Sequence, residues 1–380
     1  MSTFKRTSEH YVVGSLTLPQ EYYTSEQVFA REVERIFKRY WTCAGHESRI
    51  RSPGEYFLLD IFGESLIVVR DKHGRVRAFY NVCRHRGTRI CEEGEGRFGG
   101  SIQCSYHAWT YGLDGKLIGA PFMKDVPGFD WEEYPLRAAP VHLWRGFIFV
   151  HLGPATPMPF EELYAPLLGR FEAWNLGKLE SQTRITYDVK SNWKYIFLNF
   201  NECYHCPTIH PLLSKVTDYT SGNNDLIEGP FLGGYMDILN ESMTVTGRAC
   251  SLPLGDLGED SKRGYYYSIL PNLLLNIHPD YVMFHLVTPH AAGLSTVVSE
   301  WLFHPAAFGA PEFRPQDAVD FWHETNMQDW HVCELGQLGV RSQAYAPGWY
   351  TPRESLLEAF DGHYLKIMDD QSIFPKSGGS

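Results

Sequence analysis

Apolar residues recur along this chain with two different periods. Near the start, Phe29, Val33, Ile36, Phe37 and Tyr40 follow one another at steps of three and four, the spacing that lays one apolar face along a helix. Thr24-Ser25-Glu26-Gln27 stands just before them and reads as a capping box that opens this helix. From about Trp41 the period shortens. The runs at 56–59, 65–70 and 76–80 are of β type and are divided by Pro53-Gly54, Phe62-Gly63 and His73-Gly74, which are turn signals. Strand-like runs continue to 146–150, so the pattern predicts a compact, mostly antiparallel β unit over residues 45–155. Gly153-Pro154-Ala155-Thr156-Pro157-Met158-Pro159 then reads as a domain boundary.

Beyond it the pattern mixes. A helix is expected near 160–170, strands at 182–190, 264–270, 273–278, 281–289 and 295–303, and helices at 315–336 and 352–367. The fold class is therefore α+β: an antiparallel β domain at 45–155, and a second α+β domain built from 1–44 and 156–380 around a central antiparallel sheet with helices. Lys376-Ser377-Gly378-Gly379-Ser380 reads as disordered.

Composition narrows the function. The chain of 380 residues is 43% hydrophobic and 21% charged, within the range of a globular protein with a sizeable core. A formal net charge of −11 makes nucleic acid a poor partner. No apolar run reaches the roughly 20 residues of a membrane span, and the first residues lack the apolar segment of a secretory signal. The eight cysteines then point to metal or thiol chemistry in a reducing cytoplasm rather than to a disulfide framework.

The densest chemistry lies in Asn199-Phe200-Asn201-Glu202-Cys203-Tyr204-His205-Cys206-Pro207-Thr208-Ile209-His210-Pro211. On a regular helix His205 and His210 would sit about 1.4 turns apart, with rings pointing about 140° away from each other. Pro207 and Pro211 favour a distorted helix, which can turn both rings onto one ion. The third ligand must come from elsewhere. A second constellation sits in the β unit, Cys83-Arg84-His85 and Cys104-Ser105-Tyr106-His107, each between turn signals and glycines. Three readings compete for it: unrelated buried cysteines and histidines, a zinc site of two cysteines and two histidines, and a two-iron, two-sulfide cluster with the cysteines on one iron and the histidines on the other. The C-x-H spacing is short for a zinc finger.

Cys83-x-His85-Arg86-Gly87 with Cys104-x-x-His107-x-Trp109 resembles the Rieske signature. Glu202-x-x-His205 followed by His210 resembles the mononuclear iron motif of the Rieske non-haem iron oxygenases, in their catalytic α subunits. The resemblance implies a [2Fe-2S] cluster on Cys83, His85, Cys104 and His107, and Fe(II) on His205, His210 and Asp329. Asp329 stands in Met327-Gln328-Asp329-Trp330-His331 and is preferred to Asp317, Asp320, Glu324 and Glu334 of the same region through the family match. It further implies that Glu202 bridges an iron-binding histidine to a cluster-binding histidine of the neighbouring subunit in a head-to-tail homotrimer. Electrons would come from NAD(P)H through a separate flavin/iron–sulfur reductase, since Gly94-x-Gly96 is no Rossmann turn.

Many ring-hydroxylating members carry aspartate, with one more residue of spacing, where this chain has Glu202. The segment Glu202-Cys203-Tyr204-His205-Cys206 instead resembles the branch acting on quaternary ammonium compounds such as betaines, carnitine and choline. The expected activity is C–H monooxygenation, as in N-demethylation. Aromatic-ring or aryl-ether oxygenation is the alternative within the family, and a non-catalytic Rieske electron carrier the alternative outside it. Tyr235, Tyr265, Tyr266, Tyr267, Tyr281, Phe284 and Trp322 are expected near the iron pocket, where their π-faces suit a cation.

Overall fold

The computed structural model describes residues 4–153 and 156–369. The chain forms two compact units, Cys43–Leu152 and the residues before and after it. The expected α+β architecture is present, with an antiparallel β unit and a larger unit of sheet and helices.

In the smaller unit a five-stranded sheet runs in the order Ala138–Ala139, Val76–Tyr80, Glu64–Arg70, Glu55–Ile61, Glu95–Arg97. Leu66, Ile67, Val68 and Val69 of its middle strand are all fully buried. Leu66 and Val68 pack with Phe57, Ala78 and Ile148, whereas Ile67 and Val69 pack with Tyr56, Phe79 and Trp109. A strand with a core on each face has no solvent side, so its sequence is a continuous apolar run and not an alternation. A smaller antiparallel sheet of Ser101–Gln103, Thr110–Gly112 and Leu117–Gly119 completes the second of these cores.

In the larger unit eight strands form one sheet. Its order is Lys5–Arg6, Asn223–Leu226, Phe231–Asp237, Arg263–Ile269, Leu273–Ile277, Tyr281–Ala291, Leu294–Phe303, Glu180–Val189. The 26-residue helix Pro315–Val340 lays Ala318, Phe321 and Trp322 against Tyr281, Met283, Trp301 and Phe303 of this sheet. The two-residue strand Lys5–Arg6 is not expected from the sequence, and neither are Asn223–Leu226 and Phe231–Asp237. The Asn-Asn-Asp and Gly-Gly steps of the latter two are poor strand formers. The glycines are there for space: a Cβ on Gly234 would lie 1.8 Å from the Asn223 carbonyl oxygen.

The helices differ from expectation at their ends. Ser25 is the N-cap, accepting from Val28 N at 3.3 Å, and the helix Glu26–Glu32 widens into a π-turn at Val33–Phe37. The expected 160–170 helix stops at Leu163, followed by the 3-10 turn Ala165–Leu167 that begins around Pro166. The last one splits into a 3-10 turn, Pro352–Glu354, and the helix Ser355–Met368. The tail 376–380 and two residues of the 153–159 linker, Pro154 and Ala155, lie outside the described residues.

One buried carboxylate ties three helices of the larger unit together. Glu32 accepts from Trp193 Nε1 at 2.8 Å, from Tyr364 Oη at 2.6 Å and from Lys194 Nζ. Glu32 and Lys194 are both fully buried. Burial pulls the Lys194 ammonium down and Glu32 opposes that. The Trp193–Phe200 helix held here leads directly into the histidine segment. Glu32→Ala strands the ammonium and should cost about 3–5 kcal/mol of unfolding free energy, read by denaturant titration. Adding Lys194→Met should recover much of the loss; an additive double variant would contradict the pairing.

Candidate metal centres

Two loops of the smaller unit are built alike. Cys83 N donates to Thr88 O at 2.8 Å and Gly87 N to Cys83 O at 3.0 Å; Cys104 N donates to Trp109 O at 2.9 Å and Ala108 N to Cys104 O at 3.1 Å. Each loop turns back through a left-handed residue, Gly87 at φ 77° and Ala108 at φ 56°. This geometry costs a glycine little and an alanine more. Both thiols end up buried, whereas His85 and His107 are exposed. The two rings stand edge to face with centroids 4.9 Å apart, and His85 stacks on Trp109 at 4.9 Å. Tyr111 Oη accepts from Arg84 N at 3.0 Å, so its own proton is free for Cys83 Sγ, 3.4 Å away. Burial and then the neighbouring Cys83 push the Cys104 thiol up.

Two sulfurs grouped inside and two imidazoles grouped outside fit a Rieske-type iron–sulfur centre. A zinc finger would instead follow its second pair with a helix, and here the strand Thr110–Gly112 follows.

In the larger unit the helix Trp193–Phe200, capped by Asn192 on Lys194 N at 3.0 Å, ends at Asn201. His205 and His210 bracket the single turn Cys206–Ile209. Pro207 sits in that first turn, where its missing N–H is no loss. The helix is thus interrupted before the histidines, and their ring centroids come within 5.1 Å.

Asp329 reaches both from the long helix. Its Oδ1 lies 2.9 Å from His210 Nε2 and 3.4 Å from His205 Nε2, and accepts from Asn199 Nδ2 at 3.1 Å. The far nitrogens are taken as well: His210 Nδ1 donates to Gln328 Oε1 at 2.7 Å, and His205 Nδ1 to Glu202 Oε1. Glu202 Oε2 accepts from the backbone nitrogens of Tyr204 and His205. Protonation at Nδ1 turns each Nε2 lone pair inward.

Burial would raise Asp329, but the two imidazoles outweigh it and hold it at about 2. Burial would lower His205, but Asp329 and Glu202 push it up to about 10. Two Nε2 atoms and a carboxylate oxygen thus converge, and this set fits a divalent metal.

The other acids of the helix are engaged elsewhere. Asp317 accepts from Thr246, Asp320 from Gln316, Glu324 from Gln328 Nε2 and Glu334 from Lys190 N. Cys206 Sγ lies 3.9 Å from His205 Nε2 but is joined to Cys203 in a disulfide, which keeps sulfur out of the donor set. The cysteine count points away from a disulfide framework, and this single short-range pair does not make one.

These groups line a cavity of about 500 Å3. Of the expected aromatics, Tyr235, Tyr266 and Trp322 line it; Tyr265, Tyr267, Tyr281 and Phe284 do not. Tyr265 and Tyr267 alternate onto the opposite sheet face, against Phe171. Phe200, Tyr219 and Trp330 line it unforeseen, as do Asn199 and Asn201. Gln328 was missed although it adjoins Asp329 in sequence.

Comparison with known proteins agrees with this geometry. The model of the ring hydroxylating alpha subunit (catalytic domain) matches residues 176–370, and that of the Rieske [2Fe-2S] domain matches 40–130. The glycine betaine monooxygenase oxygenase subunit of Pseudomonas aeruginosa is 29% identical over 89% of this chain and 85% of that protein. The carnitine monooxygenase oxygenase subunit of Escherichia coli is 36% identical over 51% of this chain and 52% of that protein. Among solved structures, the quaternary ammonium Rieske monooxygenase CntA with an inhibitor superposes with a TM-score of 0.78 at 25% identity, covering 93% of this chain and 95% of the other.

Gln328→Leu removes the acceptor that orients His210 and leaves Asp329 in place. It should weaken iron binding about 10- to 100-fold, measured by competition with a ferrous chelator. Unchanged affinity would show that Gln328 does not orient the ring.

Proposed function

This chain belongs to the ring-hydroxylating α-subunit family, with a Rieske [2Fe-2S] domain ahead of the catalytic one, and from that premise we propose that it is the oxygenase component of a monooxygenase acting on a quaternary ammonium, betaine-like substrate. The observation that carries the reading is the convergence of His205 Nε2, His210 Nε2 and Asp329 Oδ1 beside an aromatic-lined cavity. His205, His210 and Asp329 are the Fe(II) ligands, and Cys83, His85, Cys104 and His107 hold the [2Fe-2S] cluster. When bound, the iron and the cluster supply the one-electron steps that activate dioxygen.

The protein's residues do the rest. Glu202 and Gln328 fix the histidine tautomers. Among the described residues the acids lining the cavity are Glu202 and Asp329, and both are engaged, so a cationic substrate meets π-faces and not a free carboxylate. Tyr266 and Trp322 offer such faces; the Tyr235 ring lies with Tyr265 under the Arg263 guanidinium, which stands 4.2 Å from the Tyr235 centroid.

For an N-methyl substrate the atoms and electrons balance as follows. The quaternary N-methyl cation, dioxygen, NAD(P)H and one proton give the N-hydroxymethyl cation, one water and NAD(P)+. The carbinol then collapses to the tertiary amine, formaldehyde and a proton. NAD(P)H acts through a separate flavin/iron–sulfur reductase. The reading places the enzyme in the cytoplasm; among the described residues no helix is long and apolar enough to cross a membrane.

The protein reconstituted with a reductase should release formaldehyde from a methylammonium compound. Asp329→Ala should abolish that release and lower iron from about three to about two per chain, with the cluster's visible spectrum kept. Turnover of an aromatic acid, with no methylammonium compound turned over, would overturn the substrate assignment.

Glu202 also borders a second cavity of about 410 Å3 with Tyr195, Asn199, Cys333 and Tyr345. The exposed His85 and His107 make the histidine side of the cluster reachable from outside. These two features support electron transfer between subunits, through Glu202, in a head-to-tail homotrimer. Sedimentation equilibrium should give three times the chain mass, and an active monomer would contradict the arrangement.

A further inference from the structure

The cavity keeps several buried hydrogen-bond donors without acceptors. Asn276 is 1% exposed and Asn201 8%. Both line the cavity, and the Nδ2 of each has no partner among the described residues. The same holds for Tyr266 Oη, but its ring runs along the strand toward Gly264, where a Cβ would lie 2.8 Å from the hydroxyl; the residue itself sits directly across from Asn276 in the adjacent antiparallel strand. Asn201 is held in place: its Oδ1 accepts from Ser268 Oγ at 2.8 Å, two residues along the strand from Tyr266, and its backbone nitrogen closes the preceding helix. Its amide therefore presents its NH2 to the same sheet face. Trp330 Nε1 is a further unpartnered donor in the lining.

Neighbouring polar side chains are satisfied. Asn224 Nδ2 donates to Thr7 Oγ1 at 2.9 Å, and Thr325 Oγ1 to Phe321 O at 3.0 Å. The deficit is one-sided, since each orphan can donate. Buried donors left unpaired are rare and costly. A group that accepts at several lone pairs and donates none would relieve them, which describes a carboxylate. Arg6 and Arg353 also border the cavity, but both are exposed. Arg353 stands over the Tyr219 ring, 5.7 Å from its centroid. Their charge is screened by water, whereas the amides are buried.

We infer that Asn201 and Asn276 form a carboxylate subsite, which selects zwitterionic betaines over alcohols or bare methylammonium ions. This rests on the quaternary-ammonium reading above. Held at one end by two neutral amides, the substrate has its cationic head left for the aromatic faces and its methyl groups for the metal side. These are positioning residues and touch no reacting atom.

The test uses three probes with the same head group: glycine betaine, choline and tetramethylammonium. Binding to the iron-loaded protein is measured by calorimetry, and turnover by formaldehyde release. The wild type should bind glycine betaine most tightly. Asn276→Leu should weaken glycine betaine about 10- to 100-fold and leave tetramethylammonium within about twofold. Asn276→Asp keeps the shape, repels the carboxylate and should reverse the preference, so a failure of the leucine variant to fold leaves the question answerable. Equal losses for all three probes, or a wild type indifferent to the carboxylate, would overturn the subsite while leaving the enzyme class standing. Failure of the wild type to bind or turn over any of the three would instead sink the quaternary-ammonium reading itself.

Discussion

Everything at the mononuclear centre depends on pinning two imidazoles from behind. A free histidine ring rotates and titrates, and can offer either nitrogen. Here Glu202 and Gln328 occupy the two Nδ1 atoms, so both Nε2 atoms face Asp329. Asn199 performs the same office for the carboxylate. The folding of the larger unit serves this arrangement. The Glu32–Lys194–Trp193–Tyr364 knot fixes the helix that delivers Asn199, and the packing of Trp322 and Phe321 on the sheet fixes the helix that delivers Asp329.

The same logic governs the smaller unit by a different route. There the donors sit on two loops of identical hydrogen-bond plan, each closed five residues on from its cysteine. Local backbone geometry does the positioning, and the surrounding strands supply a dry base for the sulfurs. One centre is local in sequence and the other is assembled across more than a hundred residues.

That difference decides what could be read from the chain. The Cys83/His85 and Cys104/His107 loops are legible because their motif is contiguous. His205 and His210 are legible for the same reason. Asp329 required the family resemblance, because four other acids share its helical region. Periodicity did carry the information: Trp322, Asn326, Asp329, Cys333 and Val340 fall on one stripe of the helix, whereas Asp317, Asp320, Glu324 and Glu334 fall off it. The strands Asn223–Leu226 and Phe231–Asp237 stayed hidden because their residues are selected for close backbone approach, as at Gly234. Asn276 was hidden for another reason. A lone polar residue in a strand gives no sign of what it faces until the cross-strand register is known.

The two walls of the iron pocket differ in stiffness. Asp329 sits midway along a 26-residue helix packed on the sheet, whereas His205 and His210 ride on a single turn between short connecting segments. A carboxylate so mounted has little room to slide, so a movement that drew the three donors together would fall on the histidine side. Glu202 lies on that same yielding segment. Glu202 and the His205 ring are therefore mechanically joined: whatever moves the ring displaces the carboxylate that holds its Nδ1.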